Sequence, residues 1–293
     1  MSGRLGRIAA APISWGVCEV PGWGHQMAPA RVLREMAELG FAATEAGPDG
    51  FLPKDPVEAR DTCAAHGLRL VGGFVPATLH RTDRDDTDMI TRRVRWLARA
   101  GAEVMVLACT TGLDGYDKIP ALDAHDRARL AQAVDRACDI ARAHELVPAV
   151  HPHVGTVVER ADQVMHLLEA SQAPFCLDTG HLMIGGMDPV HFAKDAGDRI
   201  SLLQLKDVDA ELAARVQRGA VAYTDAVREG IYSPLGSGDV DVAAVLDAVG
   251  PGYGGWYVLE QDLVLDCEPP AGTGPRDDVA RSRDHLASLL QGS

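Results

Sequence analysis

The chain has 293 residues, of which 46% are hydrophobic, 24% charged and only 5% aromatic, enough for one large core, since barrels of about 250 residues form single domains. Forty-two acidic against 28 basic residues give a formal net charge of −14; such a surface repels nucleic-acid phosphates and anionic headgroups, so neither nucleic acid nor membrane is an expected partner. No run approaches the roughly 18 apolar residues of a membrane span.

The N-terminal MSGRLGRIAAAPISWG starts basic but runs into a strand-like pattern with Pro12 and Trp15, so it reads as a first strand rather than a signal peptide. The six cysteines (Cys18, Cys63, Cys109, Cys138, Cys176, Cys267) show no CxxC spacing and sit mostly in apolar segments. That usage fits small hydrophobes in a reducing cytoplasm, not a structural zinc site. Apolar runs recur at 8–16, 41–47, 69–75, 103–109, 146–153, 174–181, 200–207 and 255–262, mostly as unbroken Val/Ile/Leu/Ala blocks. Parallel strands covered on both faces have this look. Helix-period segments separate them at 30–40, 91–101 and 127–145, with Gly40, Gly67 and Gly101 closing helices. Eight strand-then-helix units predict an α/β fold, a (β/α)8 TIM barrel spanning 1–293 as a single domain. A doubly wound open sheet is disfavoured, because no GxGxxG or GxxxxGK follows the first strand. The least regular stretch, 208–240, reads as a lid-like insertion between strands seven and eight.

Barrel chemistry sits at the C-terminal ends of the strands. There the chain places Glu45 on the second run, His151 and His153 on the fifth, and Asp178 with His181 on the sixth. The seventh carries Gln204, Lys206 and Asp207, and the eighth Glu260 and Asp262. Each has a plainer reading: Asp178 as a helix N-cap, Gln204 as a partner for loop backbone, His181 as a core histidine, Lys206–Asp207 as a surface ion pair. Together, polar groups at five of eight strand mouths point to a site, because barrel stability does not require them there. Carboxylates and imidazoles converging in apolar surroundings disfavour one another unless a cation neutralises them. Mixed oxygen and nitrogen ligands without thiolate suit Mn²⁺, Co²⁺, Fe²⁺ or Zn²⁺. His66, His80, His125, His144, His166, His191 and His285 read as surface or boundary residues, and Gly236–Ser237–Gly238 as a turn closing the insertion.

The segments APISWG, ATEAGPDGFLP, HPHVGTVVE, CLDTGHLMIGG, QLKDV, VREGIYSPLGSGDVD and VLEQD span nearly the whole chain. On them the sequence resembles the sugar phosphate isomerase/epimerase superfamily of xylose isomerase-like TIM barrels, and within it the inosose dehydratase branch. The resemblance implies one divalent ion, Mn²⁺ or Co²⁺ first, with Zn²⁺, Fe²⁺ and Mg²⁺ open, held by His151, Asp178, Gln204 and Glu260. His151 stands where the superfamily has a strand-five carboxylate, and Gln204 where it has a strand-seven histidine. The implied activity is that of a metal-dependent lyase of inositol catabolism, dehydrating a keto-cyclitol through an enediolate. His181 and His153 are suited to the proton transfers by intrinsic pKa; Glu45 is the next candidate, and Lys206 binds a substrate oxygen or orients Glu260. The acid and base roles, and the choice between His151 and His153 as ligand, stay open. So do a metal-dependent sugar (phosphate) isomerase or epimerase, β-elimination of a 3-keto-glycoside, and a non-catalytic binding subunit. The expected partner is a small polyol or keto-sugar; a homo-oligomer is left open, and no NAD or flavin signature calls for an organic cofactor.

Overall fold

In the computed structural model, which describes residues 4–292, the apolar runs form strands and the segments between them form helices. The barrel strands are β1 (Ile8–Ala10), β2 (Ala43–Thr44), β3 in two segments (Arg69–Leu70 and Gly72–Ala77), β4 (Val104–Cys109), β5 (Val147–Val150), β6 (Phe175–Asp178), β7 (Ile200–Leu205) and β8 (Tyr257–Leu259). All neighbours run parallel, and the order closes on itself: Arg69–Leu70 pairs with β2, Gly72–Ala77 with β4, and β8 joins β1 to β7. The two ends of the ladder are thus halves of one strand, and the ring closes through Val71, whose carbonyl accepts from the Glu103 and Val104 N–H groups at 2.8 and 2.9 Å. A Cβ on Gly72 would lie 2.5 Å from the Val104 carbonyl oxygen, so this seam requires glycine. The fold is a TIM barrel.

Helices α1 (Pro29–Glu38), α2 (Pro56–Ala65), α3 (Thr87–Arg99), α4 (Ala124–Ala143), α5 (Ala161–Ala170), α6 (Thr179–Ile184), α7 (Pro189–Ala196), α8 (Ala210–Gln217), α9 (Tyr223–Arg228), α10 (Val242–Val249) and α11 (Pro275–Gly292) complete the chain. Several observed strands are shorter than their apolar runs. Pro12 starts a 3-10 turn, Pro12–Trp15, that ends β1 early. Asp178 accepts the His181 N–H and so ends β6 by capping α6, which puts His181 on a helix rather than on the strand.

Side chains alternate across each strand, and this sorts the core. Ala9, Ala43, Val104, Val106, Ala149, Cys176, Leu202 and Val258 fill the barrel interior. Their neighbours Ala10, Met105, Leu107, Leu177, Leu203 and Leu259 pack outward under the helices. A third cluster joins Trp23, Val154 and Ile184 to residues of the 208–240 segment, among them Tyr223, Ile231 and Tyr232. That segment holds α8, α9 and an antiparallel ribbon of Asp207–Val208 with Tyr232–Ser233. Its anchor is Asp207, whose carboxylate accepts from the N–H groups of Val208, Gly236, Gly238 and Val240 at 2.8–3.0 Å. The plainer reading of Lys206–Asp207 as a surface ion pair is set aside: both residues are buried and Asp207 is spent on the loop. His80, read as a surface or boundary residue, is buried as well. No helix among the described residues is long and apolar enough to cross a membrane.

Candidate active site

The alternation that fills the interior also builds the polar mouth. Two residues beyond the inward-facing Ala43, Ala149, Cys176, Leu202 and Val258 come Glu45, His151, Asp178, Gln204 and Glu260; two further along the last two strands come Lys206 and Asp262. All seven are buried.

Lys206 is the centre of the group. Its Nζ lies 2.8 Å from Glu260 Oε2, 3.2 Å from Asp178 Oδ2 and 3.2 Å from Asp262 Oδ1, and 3.0 Å from His181 Nε2. Burial works against its charge, but Asp178, Asp262 and Glu260 outweigh it and hold the ammonium well above its usual pKa. Asp178 is fully buried, which raises its pKa; Lys206, His151 and the His181 N–H more than offset this and hold it at about 2. Gln204 Nε2 donates to Glu45 Oε1 at 3.0 Å and to Glu260 Oε1 at 2.9 Å, while its Oε1 accepts from Cys176 Sγ at 3.3 Å. Burial, and next the charge of Glu260, raise Glu45 well above the carboxylate range; Glu260 is raised too, by burial against the pull of Lys206.

Three imidazoles meet beside this group, with ring centroids 3.7 Å apart for His153–His181, 5.0 Å for His151–His153 and 5.3 Å for His151–His181. Burial, then the neighbouring rings, hold His153 and His181 well below the usual histidine pKa, so both are neutral at pH 7. His153 Nδ1 lies 2.7 Å from the Val154 carbonyl oxygen; only a protonated Nδ1 can bond there, which leaves Nε2 as the proton acceptor. A cavity of about 670 Å³ opens on these groups, lined by Glu45, His151, His153, Gln204, Lys206, Glu260 and Asp262 and walled by Phe74, Trp23 and Tyr116. Asp178 and His181 are not part of its wall. From the 208–240 segment, the Tyr223 hydroxyl donates to Asp262 Oδ2 at 3.0 Å and pairs with the Tyr232 hydroxyl at 2.9 Å. Sequence reasoning gave Asp262 no role and did not single out Tyr223, Tyr232 or Phe74; no local pattern marks them.

The residues present suit a divalent cation. His151, Asp178 and His181 each offer a ligand atom within 4.8 Å of the others. Both ring nitrogens of His151 are buried without a hydrogen-bond partner, and Asp178 Oδ2 makes only ion-pair contacts, with Lys206 and with His151 Nε2 at 3.5 Å. Buried polar atoms are rarely left so, and one metal ion would satisfy Asp178 Oδ2 together with one of the two His151 nitrogens. Gln204 offers a carbonyl oxygen to the same group once its amide is turned over.

A closed barrel with carboxylates, imidazoles and one lysine gathered at its C-terminal mouth defines an enzyme of the TIM-barrel class. The chain belongs to the xylose isomerase-like TIM barrel family, whose model matches residues 33–289. It is 28% identical to inosose dehydratase of Geobacillus kaustophilus (strain HTA426), over 97% of this chain and 94% of that one. Among solved structures it is similar in fold to an L-ribulose 3-epimerase, with a TM-score of 0.71 at 16% identity over 98% of this chain and 95% of that one. It is similar too to the IolI protein with a bound zinc atom, with a TM-score of 0.69 at 11% identity over 98% of both chains.

Proposed function

We propose that the protein is a metal-dependent hydro-lyase that dehydrates a keto-cyclitol through an enediolate; the relatives named inosose dehydratase support the dehydration. The observation that carries this reading is the cluster of His151, Asp178 and His181, with its unpartnered buried atoms, beside a cavity that holds an imidazole whose pKa is depressed and a carboxyl whose pKa is raised. His151, Asp178 and Glu260 are the proposed ligands, with Gln204 or His181 completing the set; a divalent ion held there supplies Lewis-acid polarisation of the substrate ketone.

The rest of the chemistry falls to side chains that line the cavity. His153 Nε2 takes the proton α to the ketone, because its pKa is depressed and Nδ1 is committed to the Val154 carbonyl. Glu45, held protonated by burial, gives its proton to the β-hydroxyl, which leaves as water. Environments that push one group towards neutral base and the other towards neutral acid are the usual signature of such a pair. Lys206 offers N–H donors to the oxygen on which charge develops. Where Gln204 completes the ligand set, His181, sealed from the cavity, orients Lys206 through the 3.0 Å contact.

Incubation with scyllo-inosose and Mn²⁺, followed by ultraviolet absorption, tests this. The proposal expects a conjugated dione product. No dione together with turnover of a ketose gives the isomerase or epimerase instead, and turnover of neither gives a binding subunit.

A further inference from the structure

One ammonium is paired with three carboxylates at the mouth of the barrel. Two of them, Asp178 and Glu260, belong to the ligand set proposed above; the third, Asp262, does not. Lys206 and a divalent ion cannot use the same oxygens together, since like charges a few ångströms apart in a buried site repel strongly. Asp262 has the features of a second berth. It faces Lys206 with Oδ1, 3.2 Å away, an atom with no other polar partner among the described residues. Its other oxygen is fixed by the Tyr223 hydroxyl, which Tyr232 braces in turn. Both tyrosines come from the 208–240 segment, so Asp262 is held in place without help from the lysine. The Tyr232 ring, 5.7 Å from Nζ, supports the cation on the same side.

We propose that Asp262 is the positioning residue that receives the Lys206 ammonium when a divalent ion takes Asp178 and Glu260. The flexible stem of Lys206 lets Nζ pivot on the Asp262 contact it already makes. The ion then gains two carboxylates, and Lys206 stays charged at the cavity wall, released from both and free to donate to substrate. This inference rests on the metal-binding part of the proposed function and not on the identity of the substrate.

A double-mutant cycle read by Mn²⁺ titration calorimetry on chelator-stripped protein tests it. Asp262→Asn leaves Lys206 with nowhere to go but Asp178 and Glu260, so Mn²⁺ binding weakens by about tenfold or more. In a Lys206→Met background there is no ammonium to relocate, and Asp262→Asn then changes binding by less than about twofold. Equal weakening in both backgrounds would mean that Asp262 contributes only its negative charge, and would overturn the proposal. No weakening in either background, or no Mn²⁺ uptake by the wild type, would overturn it too. Should Asp262→Asn fail to fold, Tyr223→Phe loosens the same carboxylate without removing its charge and carries the same cycle. The titration uses no substrate, so a negative scyllo-inosose assay leaves it standing, and a failed cycle leaves that assay untouched.

Discussion

Glu45 and Glu260, the residues directly after β2 and β8, are bridged by a single amide: Gln204 Nε2 donates to the first at 3.0 Å and to the second at 2.9 Å. Two buried carboxyls on one donor cannot both be charged cheaply, and the proton belongs to the pair.

The first prediction follows from that proton. Burial and the charge of Glu260 raise Glu45 above its ordinary 4.5. Between 4.5 and the folded-state value the native protein binds more protons than the unfolded chain, so this group contributes a loss of stability as pH rises. Glu45→Gln mimics the protonated form and removes that loss. In chelator-treated protein unfolded with urea, the variant should gain on the wild type from pH 5 to pH 8. A difference that is flat with pH would show Glu45 to be ionised in the fold.

A second prediction separates metal binding from folding at His151. The ring's one polar contact is with Asp178 Oδ2 at 3.5 Å, and Asp178 keeps Lys206 when that contact is lost, so leucine, of similar volume, should leave the barrel folded at a cost of about 1–3 kcal/mol. Mn²⁺ retention after gel filtration should nevertheless fall by about tenfold or more. Full retention would remove His151 from the ligand set.

Asp207 yields a third, structural prediction. Four backbone N–H groups depend on its buried carboxylate, and hydrogen bonds to a charged acceptor contribute about 1.5–3 kcal/mol each. Asp207→Ala should cost about 3 kcal/mol or more and expose 208–240 to limited proteolysis. Gly238→Ala should act alike, because its Cβ would fall 2.4 Å from Asp207 Oδ1. Unchanged urea midpoints would show that the loop is held by other contacts.

The fourth concerns the seam. Gly72→Ala places a methyl 2.5 Å from the Val104 carbonyl oxygen, a backbone atom that cannot swing aside as a side chain could. The cost should be about 1–3 kcal/mol, read as a lower urea midpoint, whereas Gly40→Ala, with open space around it and only its left-handed φ of 78° to strain, should cost less.

The barrel was legible in the sequence because parallel strands covered on both faces leave unbroken apolar blocks, and the mouth was legible because a period of two carries an inward position such as Val258 on to Glu260. What was not legible depends on partners that no local pattern announces. Lys206 and Asp207 look like a pair in sequence, yet adjacent residues on a strand point to opposite sides, so Lys206 turns to Asp178, Glu260 and Asp262 while Asp207 turns to the loop. In sequence Asp178 reads either as a helix N-cap or as a site residue, and it is both: it caps α6 and meets Lys206. Tyr223 reaches Asp262 across 39 residues, a contact fixed by the packing of α9 and not by spacing.

The central claim is that His151, Asp178 and Glu260, far apart in the chain, grip one divalent ion at the mouth of the barrel. Anomalous diffraction from crystals grown with Mn²⁺ tests it most directly. The account predicts one strong peak within ligand distance of all three side chains, with Lys206 drawn back to Asp262. A peak elsewhere, or Lys206 still closed on Asp178 and Glu260 with no peak at millimolar Mn²⁺, would contradict it.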